Sequence, residues 1–400
     1  MATIRCILAL AFVLGVSAPL GSTDTVTRID DEKLSGTVTG VDSGGKVTVR
    51  TGAPDAARIV TIPAAEVLSV RFGNPSSARR DGDLLTLASG ERYYVLPAAA
   101  VESPAAIRCT SGACLHGSNL IRFADLRAYV PGGKDADHVL REITSLTNDR
   151  DVVLTSGGDR LTGVVESVVY GAVGVTAKVG KVQVKREMLR GVAFSKTLKP
   201  YNEPKRLLAE VRLADGSVVV GDIQGPQRGQ FTLRSVLGSS WEVSVAKVCE
   251  VRFRGGKLVW LSELEPVKAE MTPFFNRSWS WRREQSVWGN PLTVDGTVYE
   301  RGLGVHSRTE LTYDIGRRYV TFVADVGIDD ETKGTGSAMV SVTGDGRALL
   351  TPTEVSAGHK PRHVKLNVTG VQRLHLLVDF GKDEDFGDHV DWLNARLIRK

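Results

Sequence analysis

From Thr25 to about Glu265 the chain is written in short alternating apolar and polar runs broken by Gly, Asp and Ser, and the pattern returns about every fifty residues. A short run of period two is a half-buried strand. Strands this short, strung together without intervening helices, must hide their edges by curling into small closed sheets. One copy reads Lys33-Leu-Ser-Gly-Thr-Val-Thr-Gly40, then Gly45-Lys-Val-Thr-Val-Arg50, Ile59 to Ile62, and Ala65-Glu-Val-Leu-Ser-Val-Arg-Phe72. A later copy runs from Asp151 to Phe194 and another from Ala209 to Phe253. Asp83 to Arg92 with Ile121 to Val130 forms a degenerate second copy, its middle replaced by a hairpin around Cys109 and Cys114.

Each copy therefore reads as strand, Gly-bearing turn, long strand, hairpin, strand, and a closing strand after a short polar corner. In plan such a unit is similar to SH3-like and Sm-like barrels, and no RNA-binding role is carried over from that likeness. The expected units span residues 23–75, 80–132, 151–197 and 207–265. Residues 133–150 form a spacer in which Ala136 to Thr147 is a helix, with Val139, Leu140, Ile143 and Leu146 on one face. Leu198 to Arg206 and Leu264 to Pro273 each carry two prolines and charge, as linkers do.

The start of the chain bounds where the protein works. Cys6 to Leu20 is uncharged and follows a basic opening, so residues 1–22 are read as a signal peptide. Ala18, Gly21 and Ser22 offer cleavage positions, although Pro19 disfavours cutting directly after Ala18. Left uncut, the run would be a membrane anchor, short of the roughly 20 apolar residues a spanning helix needs. Export, to a periplasm, the outside or a cell surface, would let Cys109 and Cys114 close a small disulfide. The alternative is a metal site with His116, one ligand short of the usual zinc set. Cys249, in an alternating strand, reads as a small buried hydrophobe. The net charge of +5 lies in the first two-thirds of the chain, scattered along strands with no dense basic stripe, which argues against nucleic acid.

Composition shifts after residue 271, where four of the six tryptophans fall: Trp279, Trp281, Trp288 and Trp392. Gly302-Leu-Gly-Val-His-Ser307, Val326-Gly-Ile-Asp-Asp330 and Asp388-His-Val-Asp-Trp392 follow in that order. These motifs resemble the NPCBM/NEW2 family over residues 271–400. Members of that family accompany glycoside hydrolase catalytic domains and are grouped with carbohydrate-binding modules. The resemblance implies a β-sandwich of galactose-binding type, so the expected fold is all-β, a C-terminal sandwich preceded by small SH3-like or Sm-like barrels.

Recognition of a pyranose needs an aromatic face for the ring and fixed carboxylate, amide or imidazole groups for the hydroxyls. His306, Asp329, Asp330, His389, Asp391 and Trp392 are the expected carbohydrate-binding residues. Asp391 and Trp392 are adjacent, so in an extended segment only one of them faces the ligand. Trp392 serves equally well as a core plug, and His306 and His389 as structural hydrogen-bonders. Asp329, Asp330, Asp385 and Asp388, with Asp383 and Glu384 nearby, offer oxygen ligands for a structural Ca²⁺; a solvated acidic loop is the other reading.

A glycosidase needs two carboxylates held across a cleft by a large scaffold, and no stretch here reads as repeated βα units. Gly302-Leu-Gly304 precedes no helix, and a Gly-x-Ser-x-Gly elbow is absent. A non-catalytic glycan binder is expected. The second reading is an assembly protein whose repeats contact protein partners.

Overall fold

Strands this short pair with their neighbours in sequence. The computed structural model describes residues 23–42, 44–98, 105–133, 135–195, 201–274, 277–382 and 384–400. The expected signal peptide of residues 1–22 lies outside them. The protein is all-β, with one α-helix and several one-turn helices among the described residues.

The first unit holds strands Asp24–Arg28, Lys33–Asp42, Lys46–Thr51, Arg58–Pro63 and Val67–Arg71. The first strand pairs with both the second and the fifth, the second with the third, and the third with the fourth. The same connections recur in three further units, between Asp83 and Val130, between Asp151 and Ala193, and between Leu208 and Arg254. In every unit the polar corner before the closing strand is a one-turn helix: Ala64–Glu66, Phe123–Asp125, Arg186–Met188 and Val245–Lys247. The second unit thus keeps the whole plan despite its degenerate sequence.

One recurring aspartate shows how the closure is secured. Asp24 accepts from the amides of Val38 and Gly73, and Asp151 from those of Val165 and Ser195. Asp83 takes the Gly132 amide in the same way. The carboxylate sits at the mouth of the first strand and occupies backbone donors that the end of the ladder leaves unpaired. In the second unit the spare oxygen also accepts from Tyr129, and Arg186 of the third unit bridges both oxygens.

The units associate through their closing strands. Val67–Arg71 pairs antiparallel with Val248–Arg254, and Leu126–Val130 with Leu189–Ala193. The helix Ala136–Ser145 lays Val139, Leu140 and Ile143 over the second of these seams, against Leu84, Ala128, Val152 and Ala193. Units two and four meet around the fully buried Glu91, which accepts from Ser89 Oγ (2.6 Å), Tyr93 Oη (2.7 Å), Ser235 Oγ (2.8 Å) and the Val220 amide (3.0 Å). Cys109 and Cys114 are free and buried, so the disulfide reading does not describe this structure. Burial pushes the Cys109 thiol up to about 12 and the Cys114 thiol up to about 11. The zinc reading fails too, because among the described residues no three His, Cys, Asp or Glu side chains converge on a metal position.

The C-terminal part is a two-sheet sandwich. One sheet runs Arg282–Arg283, Gly302–His306, His389–Arg399, Tyr319–Ile328, Arg362–Asn367, with Leu258–Trp260 on the far end of the last-but-two strand, His389–Arg399. The other runs Lys268–Met271, Thr309–Asp314, Arg373–Phe380, Ser337–Gly344, Arg347–Ser356. Trp392, Phe322, Tyr313, Val340 and Leu376 fill the space between them. The sandwich therefore begins before Met271, since Leu258–Trp260 and Lys268–Met271 belong to its sheets. Lys268–Met271 is a largely exposed, charged edge strand, which is why it reads as linker.

The sandwich is seated on the first unit. Ile29, Leu258, Val323 and Ile398 pack together. The buried Arg396 donates to the Ile29 carbonyl and pairs with Asp31. Glu300 receives Arg212 and Arg252 from the fourth unit.

Truncating Glu91 strands four donors in the seam between units two and four. We expect Glu91→Ala to lower unfolding stability by about 3 kcal/mol or more, measured by urea titration with Trp241 fluorescence, Trp241 lying edge-on to Tyr93 in that seam. Loss of under about 1 kcal/mol, within the range of an ordinary single hydrogen bond, would show the network to be dispensable.

Candidate functional site

Strand alternation decides what each residue of Asp388 to Trp392 can reach. Val390 and Trp392 point into the sandwich core, while His389 and Asp391 point to the outer face. His389 pairs in register with His306, and Asp391 lies between Gly304 and Gly327. Those two glycines leave the sheet bare on either side of Asp391. A Cβ on Gly304 would stand 2.3 Å from the Gln285 carbonyl oxygen, and one on Gly327 2.9 Å from Val294 Cγ1. Residues around 285 and 294 can therefore lie flat on the sheet, which places Trp288 at the end where the two histidines emerge.

The segment after Ile328 completes the floor. Asp329 caps the turn Asp330–Thr332 by accepting from the Glu331 amide at 2.7 Å, and its other oxygen accepts from the Thr293 amide at 2.9 Å. Asp330 accepts from the amides of Asp295 and Gly296. Glu331 is thereby directed back over the sheet, where it accepts from Ser286 Oγ (2.6 Å), Asn290 Nδ2 (2.9 Å), the Trp288 amide (3.4 Å) and His389 Nδ1 (2.7 Å). Burial alone would raise its pKa; the bonds from Ser286, Asn290 and His389 outweigh that and hold Glu331 below the usual glutamate value.

The result is a cleft of about 590 Å³ lined by Arg277, Trp279, Trp288, His306, Glu331, Lys333, Phe386 and His389 among others. Trp279 stacks on His306 with ring centres 5.3 Å apart, and Trp288 stands edge-on to His389 at 4.8 Å. Trp288 and Phe386 remain more than half exposed. Burial lowers the pKa of His306, with its carbonyl contact to Ser307 opposing and nearby His389 assisting. With Nδ1 donating to the Ser307 carbonyl at 2.7 Å, neutral His306 presents Nε2 as an acceptor, while the Nδ1 bond of His389 to Glu331 leaves its Nε2 as the second imidazole nitrogen of the cleft. Two imidazole nitrogens between aromatic faces are suited to the hydroxyls of a ring with an apolar side.

Of the expected binding residues, His306 and His389 line this cleft. Asp329, Asp330, Asp391 and Trp392 do not. Trp392 is core, and Asp391 is fully buried under the crossing segments, its pKa raised well above the usual value by burial and by Asp329 beside it. The four expected calcium ligands are not gathered either: Asp329 and Asp330 are engaged by backbone amides, Asp385 lines the cleft and Asp388 is buried. Among the described residues no group of three such side chains is arranged for a metal, and Asp383 lies outside them. The missed residues are Trp279, Trp288, Glu331, Arg277, Lys333 and Phe386. The tryptophan cluster at 279–288 was the available signal, since rings in so polar a segment, Arg277 to Asn290, are poorly suited to a core.

The family model of the NPCBM/NEW2 domain matches residues 257–398, the stretch that the two sheets occupy. A Renibacterium salmoninarum protein named "Putative endo-alpha-N-acetylgalactosaminidase" is 32% identical over 110 residues, 28% of this chain. The chain spans 7% of the length of that relative. The CBM51 module of Clostridium perfringens GH95, solved in complex with methyl-galactose, is 28% identical and covers 35% of this chain and 99% of its own, with a TM-score of 0.32. The CBM51-2 and INT domains of Clostridium perfringens ZmpB, solved with GlcNAc, are 22% identical and cover 46% of this chain and 44% of theirs, with a TM-score of 0.33.

A lowered His306 pKa means that the unfolded chain binds a proton more readily than the folded one below the ordinary value of 6.5. The neutral-histidine contribution to stability is whole above that pH and is lost as pH falls. An NMR titration of His306 should give a midpoint below 6.5, and the stability difference between wild type and His306→Gln should shrink as pH is lowered through that window. A midpoint above it would show that the ring is held charged. Glu331→Ala, which frees the His389 imidazole and strands Ser286 and Asn290, should cost about 3 kcal/mol in urea unfolding.

Proposed function

We propose, from the premise that the sandwich is an NPCBM/NEW2 domain, that this is an exported glycan-binding protein whose cleft takes a saccharide of galactose type and cuts nothing. The observation that carries the reading is the pair of imidazoles, each oriented by its own Nδ1 bond, set beside the exposed rings of Trp288 and Phe386. A sugar ring offers C–H groups to such faces and hydroxyl donors to such nitrogens.

The absence of catalysis in this reading is supported by the state of the carboxylates. Glycosidases hold two of them across the scissile bond. Of the two acids lining the cleft, Glu331 is saturated by four donors, leaving Asp385. Export rests on the uncharged run from Cys6 to Leu20. An assembly role for the repeats has one observation in its favour: Arg58–Pro63 and Gly180–Lys185 each pair on one side only among the described strands, leaving edges a protein partner could extend.

The full chain on a glycan array should bind a restricted set of galactose-bearing glycans. His389→Ala and Trp288→Ala should each weaken that binding about tenfold, or about 1.4 kcal/mol, with the thermal midpoint of Trp288→Ala unchanged. A folded wild-type protein that binds no glycan would remove the reading and leave the assembly role.

A further inference from the structure

Charge in the cleft is unevenly spent. Its walls carry two cations, Arg277 and Lys333, two carboxylates, Glu331 and Asp385, and the two imidazoles. Glu331 is consumed by its four donors. Arg277 and Lys333 form no ion pair among the described residues, in a chain whose other guanidinium groups are commonly paired, as Arg186, Arg212, Arg252 and Arg254 are.

Both cations are exposed at the cleft, and the chain fixes where each one starts. Arg277 lies over the Trp279 ring, 4.0 Å from its centre, and its charge is felt by His306. Lys333 has a left-handed backbone, φ 55°, fixed by its amide bond to the Asp330 carbonyl at the end of the turn that carries Glu331. A lysine there accepts a conformation that glycine or asparagine adopts more readily.

A neutral saccharide filling the cleft would draw water off both cations and give them nothing in return, a cost that hydroxyl contacts repay poorly. An oxyanion would pair with them through charge-assisted hydrogen bonds, strengthened by the apolar walls of Trp288 and Phe386. Asp385 is the one carboxylate left for ligand hydroxyls, and its charge reaches the His306 side of the cleft.

We propose that the preferred ligand is an acidic glycan, a saccharide bearing a carboxylate or sulfate group that sits between Arg277 and Lys333 while its hydroxyls meet Nε2 of His306 and His389. This rests on the glycan-binding reading of the same cleft.

The test uses the full chain and matched glycans that differ only in the acidic group: lactose, sialyllactose and 6-sulfated lactose, with other sialylated, uronic or sulfated pairs from the array. At 50 mM salt at least one acidic member of a pair should bind about tenfold or more tighter than its neutral parent, the advantage shrinking at 300 mM as screening sets in. The sialyl and sulfate arms identify which oxyanion is taken. Arg277→Gln and Lys333→Gln should each cut the acidic-to-neutral ratio by about fivefold or more, with unchanged thermal midpoints. The charge-matched control Arg347→Gln, on an exposed strand away from the cleft, should leave the ratio as it was. Neutral parents that bind as tightly as every acidic counterpart overturn the inference and leave glycan binding standing. A folded protein that binds no glycan removes both.

Discussion

Glu331 is where the cleft is tied together. Its carboxylate accepts from Ser286 and Asn290 on the crossing segment, from the Trp288 amide, and from His389 on the last strand of the sandwich. Three of the donors lie within residues 286–290 and the fourth is about a hundred residues further along the chain. Bonds to a charged acceptor are stronger than neutral ones, and a partly buried carboxylate left without them would be costly. The same contact therefore closes the loop over the sheet and fixes the orientation of the His389 ring in the cleft.

The carboxylates nearby follow one rule. An acidic cluster in loop sequence suggests a calcium site, yet Asp329 and Asp330 are spent on backbone amides of the turn and of the hairpin Leu292–Tyr299. Asp24, Asp83 and Asp151 do the same in the repeats. Short strands end often, and each end leaves amides without a ladder partner. Here aspartate supplies the acceptor at several of those ends.

The repeats and the sandwich also share a problem of edges. Pairing of closing strands removes two edges at a time, and the helix Ala136–Ser145 covers one seam with three apolar residues. Arg396, buried in the sandwich and bonded to Ile29 of the first unit, then joins the two parts by a contact that neither could satisfy alone.

The period-two runs determined strands and turns wherever they occur, because alternation is a local property and needs no knowledge of the neighbour. They also determined the repeat plan, even where the second copy had lost its middle. Motif order placed His306 and His389 in one sandwich. What lay beyond the sequence was which face each strand presents and what crosses it: a shift of one residue exchanges the faces, so Asp391 and Trp392 were equally plausible contacts until the sheet was seen. The bare patch beside Gly304 and Gly327 decided that Trp288 and Glu331 come to the site and that Asp391 is covered. Those are contacts between segments far apart in the chain, which only packing can set.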